Sequence, residues 1–136
     1  VIVLDTTVLV YAVGDSHALR EPCRSLISRI GAGELAATTT VEAIQEFAHV
    51  RARRRDRQDA ARLAAGYAAL LAPLLVVDAD DLQAGLDLWR SAEGIGSFDA
   101  VLAAVVMRRQ HLTTLVTADR GFSQVPGLKV AAPADL

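Results

Sequence analysis

Four acidic residues far apart in the chain occupy positions from which carboxylates can act together. Asp5 directly follows the apolar run Val1–Leu4, and Asp119 follows Thr114–Thr117, a second short run rich in β-branched residues. Asp99 opens an almost uncharged segment, and Glu46 stands near the start of a largely apolar helical stretch with Glu42 one turn before it. Carboxylates held together without compensation repel and take up protons, a conflict that a divalent cation removes. All-oxygen ligation with no thiolate and no histidine pair selects a hard ion, Mg2+ or Mn2+, over zinc. Such an ion can make hydroxide from water, orient a phosphodiester and stabilise the leaving oxygen, so acids alone suffice for phosphodiester hydrolysis. Plainer roles exist for Asp99 and for Glu42. Asp99 in a first helical turn favours the helix dipole, and Glu42 completes a capping box begun by Thr39. Glu46 has no capping role, which makes it the preferred glutamate.

The elements that must position these acids alternate in type. Val1–Leu4 reads as a strand buried on both faces of a parallel sheet, ended by Asp5. Gly14-Asp15-Ser16 is a turn, and Pro22 begins a helix that stops near Gly31. A short strand is expected around Leu35–Ala37, then the helix capped at Thr39, which runs into the arginines. Asp56 caps a further helix over about residues 58–71, and Leu74–Val77 reads as a strand. Leu82, Leu86 and Trp89 recur at i, i+4 and i+7, an amphipathic helix ending at Gly94. Ser97 caps a buried helix from Phe98 to Met107, closed by His111, and Thr114–Thr117 and Leu128–Ala131 supply the last strands. This alternation predicts an α/β fold with a mostly parallel sheet covered on both faces. In such folds ligands bind outside the carboxyl ends of the strands, where Asp5 and Asp119 both fall.

A chain of 136 residues suits one domain, and 52% hydrophobic with 22% charged residues is far from the composition of a disordered chain. The uncharged run Leu63–Val77 is too short to cross a bilayer and is interrupted by Gly66 and Pro73. Asp5 cuts off the apolar start, so no secretory signal is read, and a cytoplasmic location is the expectation. The single Cys23 excludes an internal disulfide and multi-cysteine metal frameworks; within a helical pattern it packs as a small hydrophobe. Net charge is −2, yet Arg51, Arg53, Arg54, Arg55 and Arg57 form a local basic cluster. It serves as a solvated helix end, as a site for RNA phosphates, or as a site for the acids of a protein partner.

Taken in order, VLDTTVLVYA (3–12), IQEF (44–47), SFDAVLAAV (97–105) and VTADRGF (116–122) resemble the four acidic motifs of PIN-domain ribonucleases over nearly the whole chain. The REPC and EFAHVRARR stretches are most similar to VapC, the toxin of bacterial VapBC toxin–antitoxin modules. The resemblance implies a three-layer α/β/α sandwich, one PIN domain over 1–136, with Mg2+ or Mn2+ at the sheet edge. It implies an endoribonuclease that cuts single-stranded or looped RNA to a 3′-hydroxyl and a 5′-phosphate. Asp5, Glu46, Asp99 and Asp119 match the catalytic and metal-binding acids. Thr7 stands where the family often has asparagine or serine, its hydroxyl within reach of a metal's water, and Thr117 matches a hydroxyl near the last acid. Glu42 competes with Glu46 for the second motif. A VapB-type antitoxin would pack near the arginine cluster, and VapC proteins usually form homodimers; Trp89 and its stripe fit either the core or such a dimer interface.

Other classes fit less well. Glu46 and His49 make half of a di-iron helical ligand set, but no second copy exists and the strands disagree. A haloacid-dehalogenase-type phosphatase would place a second aspartate at Thr7 and a lysine well before Lys129, the only lysine. A PIN-like scaffold that binds RNA or protein without cutting is the remaining alternative; metal binding that depends on the acids separates it from the enzyme.

Overall fold

The computed structural model describes residues 1–136. The element order is β1 (Ile2–Leu4), α1 (Thr6–Val13), α2 (Arg20–Gly31), β2 (Ala37–Thr38), α3 (Val41–Ala52), α4 (Arg57–Leu70), α5 (Ala79–Ser91), α6 (Ser97–Arg108), β3 (Thr114–Val116) and β4 (Val130–Ala131). The strands form one parallel sheet in the order β2-β1-β3-β4, with Ile2, Val3 and Leu4 opposite Thr114, Leu115 and Val116. Chain order therefore reverses between β1 and β3, and the carboxyl edge at such a switch point is open to a ligand.

Side-chain alternation along β1 divides the interior into two layers. Ile2 and Leu4 pack with α1–α4, while Val3 packs with α6, Leu115, Phe122 and Val125 on the other face. This is the expected α/β/α arrangement. Leu4, Leu9, Leu26 and Phe47 are fully buried, each contributing about 2 kcal/mol from apolar burial. Phe47 anchors α3 beneath the sheet, meeting Tyr67 edge-on at 4.9 Å, and so sets the rotation of the preceding Glu46. On the opposite face α5 and α6 approach closely at Gly85, where a Cβ would lie 2.6 Å from Val101 Cα. Buried Asp81 joins the far ends of this pair, accepting from Arg109 at 2.7 and 2.6 Å and from Arg108 at 3.0 Å.

Several local expectations change. Thr40, not Thr39, caps α3, its hydroxyl accepting from the Ala43 amide at 3.1 Å. Thr39 is occupied elsewhere: its hydroxyl donates to the Leu4 carbonyl at 2.7 Å. Glu42 thus has no capping-box partner. Ser97 is the first residue of α6 rather than its cap, which is Gly96. α2 begins two residues before Pro22, which still lies in the first turn where its missing N–H breaks no helix bond. Leu74–Val77 is not a strand; β2 ends at Thr38, and beyond it only a single isolated bridge joins Thr40 to Leu75. Helix α6 ends at Arg108, before His111. The stripe of α5 is not core, since Leu82 and Trp89 are 48% and 49% exposed; the helix buries Asp81 and Gly85 instead. No helix is long and apolar enough to cross a membrane.

Candidate functional site

The carboxyl ends of β1 and β3 are tied together through Asp5. It follows β1, is buried, and takes hydrogen bonds on one carboxylate oxygen from the hydroxyls of Thr7 at 2.7 Å and Thr117 at 2.8 Å. The same hydroxyls accept from the backbone: Thr7 from Ala118 at 3.1 Å and Thr117 from Asp119 at 2.9 Å. Each threonine spends its one proton on Asp5, so Thr7 orients the aspartate, and Asp119 is steered by Thr117. The Gly121 amide donates to the Asp119 carboxylate at 3.0 Å. Burial raises the Asp5 pKa, and the two hydroxyls with the amides of Thr6 and Thr7 draw it back.

Two helices bring the other acids. Glu46, on the outer side of α3, has its pKa raised by burial and by the negative charge of Asp5, against the nearby Thr6 hydroxyl and His49. Asp99 lies in the first turn of α6, where the helix dipole alone would favour its charged form. Its pKa is instead pushed up to about 7 by burial, then by Asp5, Glu46 and Asp119. Repulsion and desolvation outweigh the dipole. Glu42 sits one turn before Glu46 on the rim of an adjoining groove of about 320 Å³, whose acidic side is Asp5, Glu46 and Asp99 and whose apolar side includes Leu82, Leu86 and Phe98.

None of these four acids is in an ion pair, although Asp59, Asp81, Asp87, Asp15, Glu21 and Glu34 all are. As they stand, no three acidic, imidazole or thiol groups are close enough together to hold a metal ion. The acids form an open, mutually repelling ring of hard oxygen donors with no thiolate and no counter-cation. That donor chemistry fits a divalent ion such as Mg2+ or Mn2+, which would draw the ring inward.

The arginine cluster divides. Arg51 is engaged within the fold, donating to Asp59 at 2.7 Å and to the Val13 carbonyl at 3.0 Å. Arg55 pairs with Asp15 at 3.2 Å. Arg53, Arg54 and Arg57 are exposed and form no ion pair, and of the five Arg54 faces a cleft that also touches Thr7 and Glu46. The sequence reading missed Tyr11 and His17 in that cleft; Tyr11 lies one helical turn after Thr7, the only signal available.

Comparison with known proteins identifies the family and the fold. A sequence model of the PIN domain matches residues 2–128. Ribonuclease VapC7 of Mycobacterium tuberculosis is 48% identical over 91% of this chain and 86% of its own length. The crystal structure of Mycobacterium tuberculosis VapC20, a sarcin-ricin-loop-cleaving toxin, superposes with a TM-score of 0.73 at 20% identity, covering 93% of this chain and 95% of that one. The VapBC2 complex of Rickettsia felis, bound to a promoter DNA fragment, contains a chain with a TM-score of 0.72 at 17% identity, covering 96% and 97%.

Proposed function

The chain belongs to the PIN-domain family, in its VapC branch, and from that premise we propose that it is a metal-dependent endoribonuclease that serves as the toxin of a toxin–antitoxin pair. One observation carries the reading: four carboxylates from the ends of β1, α3, α6 and β3 repel one another at one sheet edge with no cation paired to any of them, and burial together with this repulsion lifts Asp99 to about 7. Buried Asp81 is neutralised by two arginines, whereas buried Asp5 and the three acids near it have none.

Asp5, Glu46, Asp99 and Asp119 would hold the ion. A bound Mg2+ or Mn2+ supplies a nucleophile at neutral pH and charge stabilisation for the phosphodiester. The protein's own contribution is positional. Thr7 and Thr117 fix Asp5 in one orientation and hold β1 and β3 in register at the edge. Asp99, in the first turn of α6 beside the other three acids, is placed to accept the proton of the attacking water. Attack at phosphorus breaks the bond to the 3′ oxygen, leaving a 3′-hydroxyl and a 5′-phosphate.

Incubation of purified protein with RNA and Mn2+, followed by sequencing of the RNA ends, tests this. Wild type should cleave, and Asp5→Asn, Asp99→Asn or chelation should stop cleavage with the fold intact. Metal-independent cleavage by Asp5→Asn refutes the mechanism; RNA binding with no cleavage returns the non-cutting scaffold. A VapB-type antitoxin is the partner we infer, to be checked by co-purification and by loss of cleavage in the complex. Half-exposed Trp89 and Leu82, with Phe98 73% exposed, suit a homodimer contact. A monomeric mass by light scattering would exclude it.

A further inference from the structure

The cleft beside the acids has a composition that hydrolysis itself does not call for. It encloses about 420 Å³ between α1 and α3, and one end is formed by Thr6, Thr7 and Glu46 of the acidic site. Tyr11 lies about one helical turn along α1 from Thr7, about 6 Å in rise, and Val50 lies the same distance along α3 from Glu46. The two walls therefore leave the acids in parallel. At the other end Tyr11 and His17 set their rings 4.8 Å apart at 35°, and Arg54 brings an exposed guanidinium that forms no ion pair. Its neighbours in the cluster differ, because Arg51 and Arg55 are paired with Asp59 and Asp15. Thus an acidic end, an aromatic pair and an unpaired cation share a single cleft, whose lining also includes Asp15, itself paired with Arg55.

An aromatic pair with one half-buried ring offers a stacking surface to any base, and a guanidinium offers a contact to the following phosphate. We propose that this cleft is a nucleobase subsite: Tyr11 and His17 stack the base of a nucleotide beside the scissile phosphate, and Arg54 takes the next phosphate of the single strand. The inference rests on the nuclease reading above and deepens it by naming residues that hold the substrate outside the metal-binding acids. The Nδ1 of His17 accepts from the Leu19 amide at 3.1 Å, which fixes the ring within the loop without using its face.

The test uses full-length Asp99→Asn protein, which on the nuclease reading should not cut, and a fluorescein-labelled eight-nucleotide single-stranded RNA in Mg2+ buffer, read by anisotropy. A set of such RNAs carries one abasic nucleotide at each position in turn. For the Asp99→Asn parent, base removal at one position should weaken binding about tenfold, the scale of one base–aromatic stack. Adding Tyr11→Leu should weaken binding of the intact RNA by a similar factor and abolish the difference between intact RNA and that one abasic RNA, while Tyr11→Phe preserves both. Arg54→Gln should weaken all RNAs and lower the salt slope by about 0.7. A merely structural Tyr11 would lower affinity for every RNA alike, and that result overturns the inference, as does unchanged binding. Should Tyr11→Leu fail to fold by thermal melting, His17→Leu in the exposed loop carries the same comparison. Failure of the parent to bind any of these RNAs, with no cleavage by wild type, overturns the nuclease reading itself; cleavage by wild type with no loss in the variants overturns the subsite alone.

Discussion

Replacing Asp99 by Asn should stabilise the metal-free protein at pH 8, although it removes a candidate catalytic group. The carboxyl has a higher pKa in the folded chain, about 7, than its ordinary 3.8, because folding takes it away from water and places it among three other acids. A raised carboxyl pKa contributes stability that is complete below about 3.8 and is lost as pH rises through about 7. At about 1.4 kcal/mol per pH unit the full effect is near 4 kcal/mol. Water reaching the partly exposed carboxylate screens much of it, leaving about 1–2 kcal/mol. Asn mimics the protonated form at every pH. In EDTA the variant should therefore melt a few degrees above wild type at pH 8, with the gap closing towards pH 5. Saturating Mn2+ should reverse the order, because the wild-type ring binds the ion better and binding to the folded state alone raises stability. Differential scanning fluorimetry from pH 5 to 8, with EDTA and then Mn2+, measures all of this. A variant less stable than wild type at pH 8 in EDTA, or a gap that widens on acidification, would refute the reasoning that the acids repel.

Thr117→Val should cost about 1–2 kcal/mol in urea denaturation and weaken Mn2+ binding in a calorimetric titration, since it removes a hydroxyl that donates to buried Asp5 and accepts from Asp119; Thr117→Ser should restore both. Gly85→Ala should destabilise by about 2–3 kcal/mol, because its Cβ would meet Val101 Cα at 2.6 Å and backbone cannot step aside. Val101 stands two residues after Asp99, so the rate of RNA cleavage per folded molecule should fall as well. Asp81→Asn should lose about 3 kcal/mol at pH 7 by leaving Arg109 and Arg108 without their buried partner. The arginines hold the Asp81 carboxyl well below the usual carboxylate range, so its contribution is full above about pH 4 and is lost as the solution becomes more acidic; the wild-type advantage over Asp81→Asn should shrink there. Cleavage per folded molecule should be retained, since this network lies at the opposite end of α6 from Asp99.

Much of the site's chemistry was legible because it depends on residue type and local order. An apolar strand ended by an acid, twice, requires no tertiary knowledge to suggest a pocket at the carboxyl edge, and Asp56 capped its helix as its position suggests, accepting from the Asp59 amide at 2.7 Å. The family motifs lie within these local segments. What remained illegible depended on competition between distant partners. Thr39 and Thr40 are equally good caps by sequence; the Leu4 carbonyl on a neighbouring strand claims the first hydroxyl and leaves the cap to the second. The stripe on α5 has the periodicity of a buried face, but Gly85 permits a closer approach on another side, so Leu82 and Trp89 are left half in solvent.

The same division governs the functional residues. The amino-acid order by itself determined that carboxylates, hydroxyls and arginines were available, and on which elements. Only the three-dimensional arrangement placed β1 beside β3, so that two threonines could share Asp5, and moved Asp99 against the pull of its own helix dipole. It also separated the arginines held within the fold from Arg54, which faces the cleft. Charges interact through space with a strength set by separation and by access to water, and neither quantity is written in the spacing along a chain.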